Sequence, residues 1–289
     1  MQKNFLPFFI PALIFLIFLV VFPALQTVYI SFFSSSGEFV GFNNYLNVLS
    51  RKDMLNVEGF PKWPPLGALV HNLIWIAIHL PLSMFSGLAL AIILRDVKGA
   101  SVVKSVIFLG MVTPMIVGGI ILRFTFTEGV GIVNAFFGLL GVEQLTRTWT
   151  AFPETALFAL IFGSVWLWTG FSMIVYSAGL ATIPKDYYEA AKIDGATPFR
   201  IFFRITLPLL KPITIVVITM TILWELKIFD IVFIATRGGP GGASNVLAYL
   251  VWLFAFWYNE FNSAAVVATL LTALTLVVAV GMIRYMVKR

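Results

Sequence analysis

The chain contains no cysteine, so a disulfide framework, a thiolate metal site and a cysteine nucleophile are all excluded. Charge is scarce too: 11% of the 289 residues are Asp, Glu, Lys or Arg, against 60% hydrophobic ones. With a mean hydropathy of +0.97, these proportions lie far outside those of water-soluble domains, and lipid is the expected solvent. The two histidines, His71 and His79, stand eight residues apart and about 80° apart around a helix. A buried or interfacial structural role is therefore the better reading, ahead of a shared metal. No Ser/His/Asp arrangement, paired-carboxylate site or nucleotide-binding motif is visible. The glycine-rich stretch 237–242 lacks the lysine and hydroxyl residue of a phosphate loop and reads as a turn on the outer side.

What is present is long apolar runs. A helix needs roughly 20 apolar residues to cross the hydrocarbon core, because every backbone polar group must be paired within the segment. Six stretches meet that need, at 8–30, 68–94, 102–124, 155–180, 205–226 and 263–286. Two further apolar pieces, 130–140 and 246–257, are too short to span and read as interfacial or re-entrant helices. The first run is too long for the core of a signal peptide and lacks a small-residue cleavage site before Ser31, so it is expected to stay. The expected fold is an all-α integral membrane protein of about six transmembrane helices. Residues 1–67 would form the first helix and an outer loop, 68–286 a five-helix core, and 287–289 a tail.

The formal charge of +6 is spread over short segments between the runs, so topology explains it better than nucleic acid binding does. With the amino terminus inside, the inner segments carry 12 of the 19 basic residues and 4 of the 13 acids, a sum of +8 against −2 outside. The positive-inside rule favours that orientation, with both termini in the cytoplasm. Trp63, Trp149, Trp252, Trp257 and Tyr258 fall in or near outer loops, where amphipathic rings favour the headgroup region. The two halves share no Gly/Pro-interrupted pair of helices, which argues against an inverted-repeat secondary transporter.

Between the fourth and fifth spans lies the most structured inner loop, IPKDYYEAAKIDGATPFRIFFRITLPLLKP, residues 183–212. It reads as two short helices. Asp186 is placed to cap the first, with Glu189 three residues on, and Gly195 supplies the flexible or left-handed position that ends it. Thr197 then caps the second, with Pro198 at its first position. Glu189, Ala190, Ala191, Gly195, Ile205, Leu207 and Pro208 match the spacing E-A-A, three residues, G, nine residues, I-x-L-P. In this loop the chain resembles the permeases of binding-protein-dependent ABC importers.

Weaker marks point to the carbohydrate branch of that family, related to maltose/trehalose and glycerol-phosphate transporters. They are Leu6-Pro7 to Phe22-Pro23 with Ser31-Phe32, Val40-Gly41-Phe42-Asn43-Asn44-Tyr45, and Phe229-Asp230-Ile231 followed by Thr236-Arg237-Gly238-Gly239-Pro240. The resemblance implies a type I importer permease fold in the inner or cytoplasmic membrane, with a cytoplasmic coupling helix in loop 183–204. It also implies a second permease, expected to be a different chain, and two ABC ATPases that carry ATP and Mg, this chain holding no cofactor of its own. An external solute-binding protein would deliver a sugar substrate. On this resemblance Glu189, Ala190, Ala191, Asp194 and Gly195 form the contact with the ATPase.

Candidate solute contacts come from the residues themselves. An ionisable group inside the membrane costs roughly 2.5–3.5 kcal/mol on insertion scales, which makes Glu225, beside Trp224, a functional candidate. It reads equally as a headgroup-level carboxylate or as a partner of Lys227 or Arg123. On the fourth span Ser164, Trp168 and Phe171 share one helical face. That face fits a cavity lining, and it also fits packing against neighbours or lipid.

Overall fold

In the computed structural model residues 6–59 and 65–287 are described, so Trp63 lies outside the described residues. Among those described, the regular secondary structure is helical apart from one isolated bridge between Phe33 and Phe39. Four helices are long and apolar enough to cross a membrane: Phe9–Ser31, Ala68–Ile93, Pro153–Ala181 and Phe261–Val287. Two bent pairs bring the number to six when each is counted as one span: Ala100–Val112 with Met115–Thr125, and Pro198–Leu209 with Lys211–Leu226.

The third span is not the single helix expected over 102–124. It turns by 97° at Thr113-Pro114, where Thr113 is extended (ψ 126°) and Pro114 opens the second half. The physical reason is local. Proline offers no N–H, and its ring pushes the preceding residue out of the helical region. The fifth span bends by 65° at Leu210, with Pro208 and Pro212 on either side. It begins at Pro198, inside the elbow, and not at 205.

The fourth span is the hub, and it buries Leu157, Leu160, Ile161, Leu167, Met173 and Tyr176. Lipid tails are as apolar as leucine, so membrane helices associate through close packing of small residues. Gly87 of the second span meets the fourth this way: a Cβ there would lie 2.7 Å from the Met173 backbone nitrogen. The first span behaves differently, being exposed throughout from Phe9 to Gln26. Its carboxy-terminal end is pinned by Asn44, whose Nδ2 donates to the carbonyls of Ser31 (2.9 Å) and Phe33 (2.8 Å). Asn262 of the sixth span donates to the Phe33 carbonyl as well, at 2.6 Å. The Asn43-Asn44-Tyr45 pattern thus clamps the end of the first helix, with Ser31 Oγ and Tyr45 Oη 2.7 Å apart. The two short apolar pieces form the helices Ile132–Leu139 and Leu247–Trp257.

Candidate functional site

The elbow is built by a left-handed glycine between two helix ends. The helix Lys185–Ile193 has no buried residue, and Gly195 follows at φ +72°, a conformation that costs a residue with a Cβ roughly 1–2 kcal/mol. Thr197 Oγ1 then accepts the Arg200 N–H at 3.3 Å and Pro198 takes the first helical position. One detail of the sequence reading is corrected. Asp186 does not cap the first helix; Pro184 stands at that position with ψ 138°, and no side chain caps it. Asp186 falls inside the first turn, where its charge faces the positive end of the helix dipole.

Two grooves flank this helix. Tyr187, Ala190, Ala191 and Asp194 line one of about 390 Å³ with Arg204 and Pro208 of the fifth span. Glu189 and Lys192 line another of about 450 Å³, with Arg95, Asp96 and Phe202. The helix is fastened to the bundle through Tyr188, whose ring lies 4.7 Å from the Arg95 guanidinium and whose hydroxyl is 3.4 Å from Thr206 Oγ1. Ile193 and Phe199 stand 87% and 74% exposed on the elbow, a costly display of apolar surface unless a partner covers it. Ala190, Ala191 and Asp194 thus share one groove, Glu189 lines the other, and Gly195 stands exposed at the end of the helix.

The candidate solute residues divide. Trp168 and Trp224 pack edge to face with centroids 5.9 Å apart, and both line a cavity of about 330 Å³ with Met111, Met115, Lys227 and Asp230. Phe171 stands against Trp224 at 4.8 Å. Ser164 and Glu225 do not face that cavity. Ser164 Oγ donates to the Ile161 carbonyl (2.9 Å). Glu225 is fully buried, with Oε1 2.6 Å from His79 Nδ1. Neither Lys227 nor Arg123 is its partner.

His79 belongs to a polar seam that the sequence reading missed. Asn72 Nδ2 donates to the Glu225 carbonyl (3.0 Å), while Asn72 Oδ1 accepts the Leu247 N–H (2.7 Å). His71 Nε2 accepts the Leu66 N–H (3.0 Å), so Nδ1 carries the proton and donates to the Asn245 carbonyl (2.8 Å). Asn72 and His79 are seven residues apart, two helical turns, and that spacing was the available signal. Lys227, Asp230, Met111 and Met115 were not read as cavity lining, because the helix break between Leu226 and Asp230 and the 97° bend of the third span bring them together.

Apolar helices able to cross a membrane, an open cavity that some of them line and an exposed elbow that runs directly into one of the spans define a membrane transport subunit. The comparisons narrow this class. The chain belongs to the family described as binding-protein-dependent transport system inner membrane component, whose model matches residues 80–289. It is 57% identical to a probable ABC transporter permease protein of Pyrococcus horikoshii, covering 98% of this chain and 99% of that one. It is 32% identical to a trehalose/maltose transport system permease protein of Thermococcus litoralis, covering 84% and 80%. In fold it is similar to a chain of a bacterial ABC transporter involved in the import of the acidic polysaccharide alginate, with a TM-score of 0.78, 19% identity and coverage of 96% and 93%. The protein is thus an ABC transporter permease with the type I importer fold, embedded in the membrane.

Proposed function

We propose that this permease forms one half of an inward sugar pathway. A second permease, expected to be an unlike chain, completes it. Two cytoplasmic ATPases carrying ATP and Mg drive it, and an external solute-binding protein delivers a sugar or oligosaccharide. Both termini and the elbow face the cytoplasm in this reading, as the inner excess of basic residues favours. The relative named for trehalose and maltose supports a sugar as cargo.

The observation that carries the reading is continuity. The elbow helix is exposed on both grooves, its direction is fixed at Gly195, and the helix that follows bends at Leu210 before reaching Trp224 at the cavity. An ATPase that grips Glu189, Ala190, Ala191 and Asp194 pulls on the fifth span, and the proline-flanked bend lets its inner half swing. ATP-driven closure thereby biases a bundle with two arrangements, which is what alternating access requires. Trp224, with Phe171 and Trp168 packed against it, offers an apolar ring to a sugar, while Lys227 and Asp230 offer hydrogen-bonding groups. Glu225 acts behind that surface by tying the fifth span to His79 of the second, while Ser164 bonds within its own helix.

The test is Gly195→Val in the assembled importer. Receptor-stimulated ATP hydrolysis and sugar uptake should both fall at least tenfold while the subunits still co-purify. Unchanged uptake would contradict the coupling role. The external receptor should set most of the selectivity, so exchanging it for another should change the sugar imported.

A further inference from the structure

The outer arginines fall into two kinds. Arg51 Nη1 lies 2.6 Å from Glu260 Oε2, and Arg147 Nη1 lies 3.2 Å from Glu154 Oε1. Arg123 and Arg237 form no ion pair among the described residues. Instead they line one cavity of about 570 Å³ together with Phe233 and Thr236. An adjoining cavity of about 380 Å³ shares Phe233 and Arg237 and is walled by Tyr249 and Trp252. The aromatic wall is a packed unit, with Phe233 and Trp252 rings 4.9 Å apart and Tyr249 and Trp252 stacked at 5.7 Å.

Arg237 is held where it is. Its backbone stands at φ +51°, a region non-glycine residues seldom occupy, and its N–H donates to the Val232 carbonyl at 2.9 Å. Thr236 Oγ1 and Ser244 Oγ are 2.7 Å apart, and Ser244 Oγ donates to the Gly239 carbonyl, also at 2.7 Å, which ties down the turn that follows.

We infer that this is a binding site for the acidic group of an anionic saccharide, a carboxylate, sulfonate or phosphate borne on a sugar. The inference rests on the sugar-import reading and names the substrate class within it. Two arginines that line one cavity, with no carboxylate among its lining residues as described, match planar or tetrahedral anions. A neutral sugar needs neither. The rigid aromatic wall suits stacking on the apolar face of a pyranose ring, which an anion alone would not use.

The experiment is equilibrium binding of radiolabelled digalacturonate and of its dimethyl ester to the complete importer in nanodiscs, without the receptor. Digalacturonate should bind at least tenfold more tightly than the ester, and the preference should shrink as salt is added. The Arg123→Gln/Arg237→Gln importer should lose the preference, and an Arg237→Lys importer should keep only part of it. Equal affinities in the native importer, or a preference that survives the double substitution, overturn the assignment. So does failure of the double variant to assemble, which would make these arginines a subunit contact. Phosphatidylglycerol nanodiscs in which digalacturonate no longer binds would make the cavity a lipid site and overturn it as well. The sugar-import reading stands or falls separately, on whether receptor loaded with a neutral sugar stimulates ATP hydrolysis.

Discussion

The elbow and the seam around Glu225 are both polar, yet they treat their polar groups in opposite ways. In the elbow, residues 185–195 stand in solvent or half covered, and what fixes them is backbone conformation, chiefly Gly195 at φ +72° and the Thr197 cap. In the seam, Asn72, His71, His79 and Glu225 are buried, and what fixes them is hydrogen bonds to other helices and loops: His79 to Glu225, Asn72 to the Glu225 carbonyl and His71 to the Asn245 carbonyl. The difference teaches where function and stability reside. Exposed polar groups cost little to keep and are free to meet a partner, whereas buried ones are tolerated only when their hydrogen bonds are made.

Substitutions sharpen the contrast, and the largest effect should come from the seam. Glu225→Ala strands His79 in an apolar interior and should destabilise the purified permease by about 3 kcal/mol, read by denaturant or thermal unfolding. A change within a few tenths would break the comparison. Asn72→Ala removes the bonds to the Glu225 carbonyl and the Leu247 N–H and should cost roughly 2 kcal/mol by the same measurement. Elbow changes should be smaller in stability and larger in coupling. Gly195→Val strains one exposed residue by about 1–2 kcal/mol, whereas Gly195→Asn, which tolerates the left-handed region, should keep most receptor-stimulated ATPase activity. Thr197→Ala, last in size, should cost about 0.5–1 kcal/mol of local helix stability, seen as faster amide exchange confined to residues 198–202.

The same contrast governs what the sequence made legible. Gly195, Thr197 and Pro198 act through local backbone preferences, so their roles could be read from spacing alone. Asp186 misled because capping by an acid and placement in the first turn look alike until the path of Pro184 is known. The number of spans followed from length and hydropathy, but the turn at Thr113-Pro114 was hidden inside a continuous apolar run. The seam needed tertiary packing: Glu225 and His79 are 146 residues apart in sequence, and no local rule pairs them. Trp168 and Trp224 were legible as amphipathic rings in spans, while Arg123 and Arg237 drew no notice as a pair because they meet only through the packing of the helix Asp230–Ala235 on the third span.

The central claim is that the elbow faces the cell interior and is gripped by the ATPase. The natural absence of cysteine makes it directly testable with the single change Ala190→Cys. Labelling by a membrane-impermeant maleimide should occur only in inside-out vesicles, and assembly with the ATPase subunits should protect the thiol at least tenfold. Labelling from outside intact cells, or equal labelling with and without the ATPase, would contradict the account.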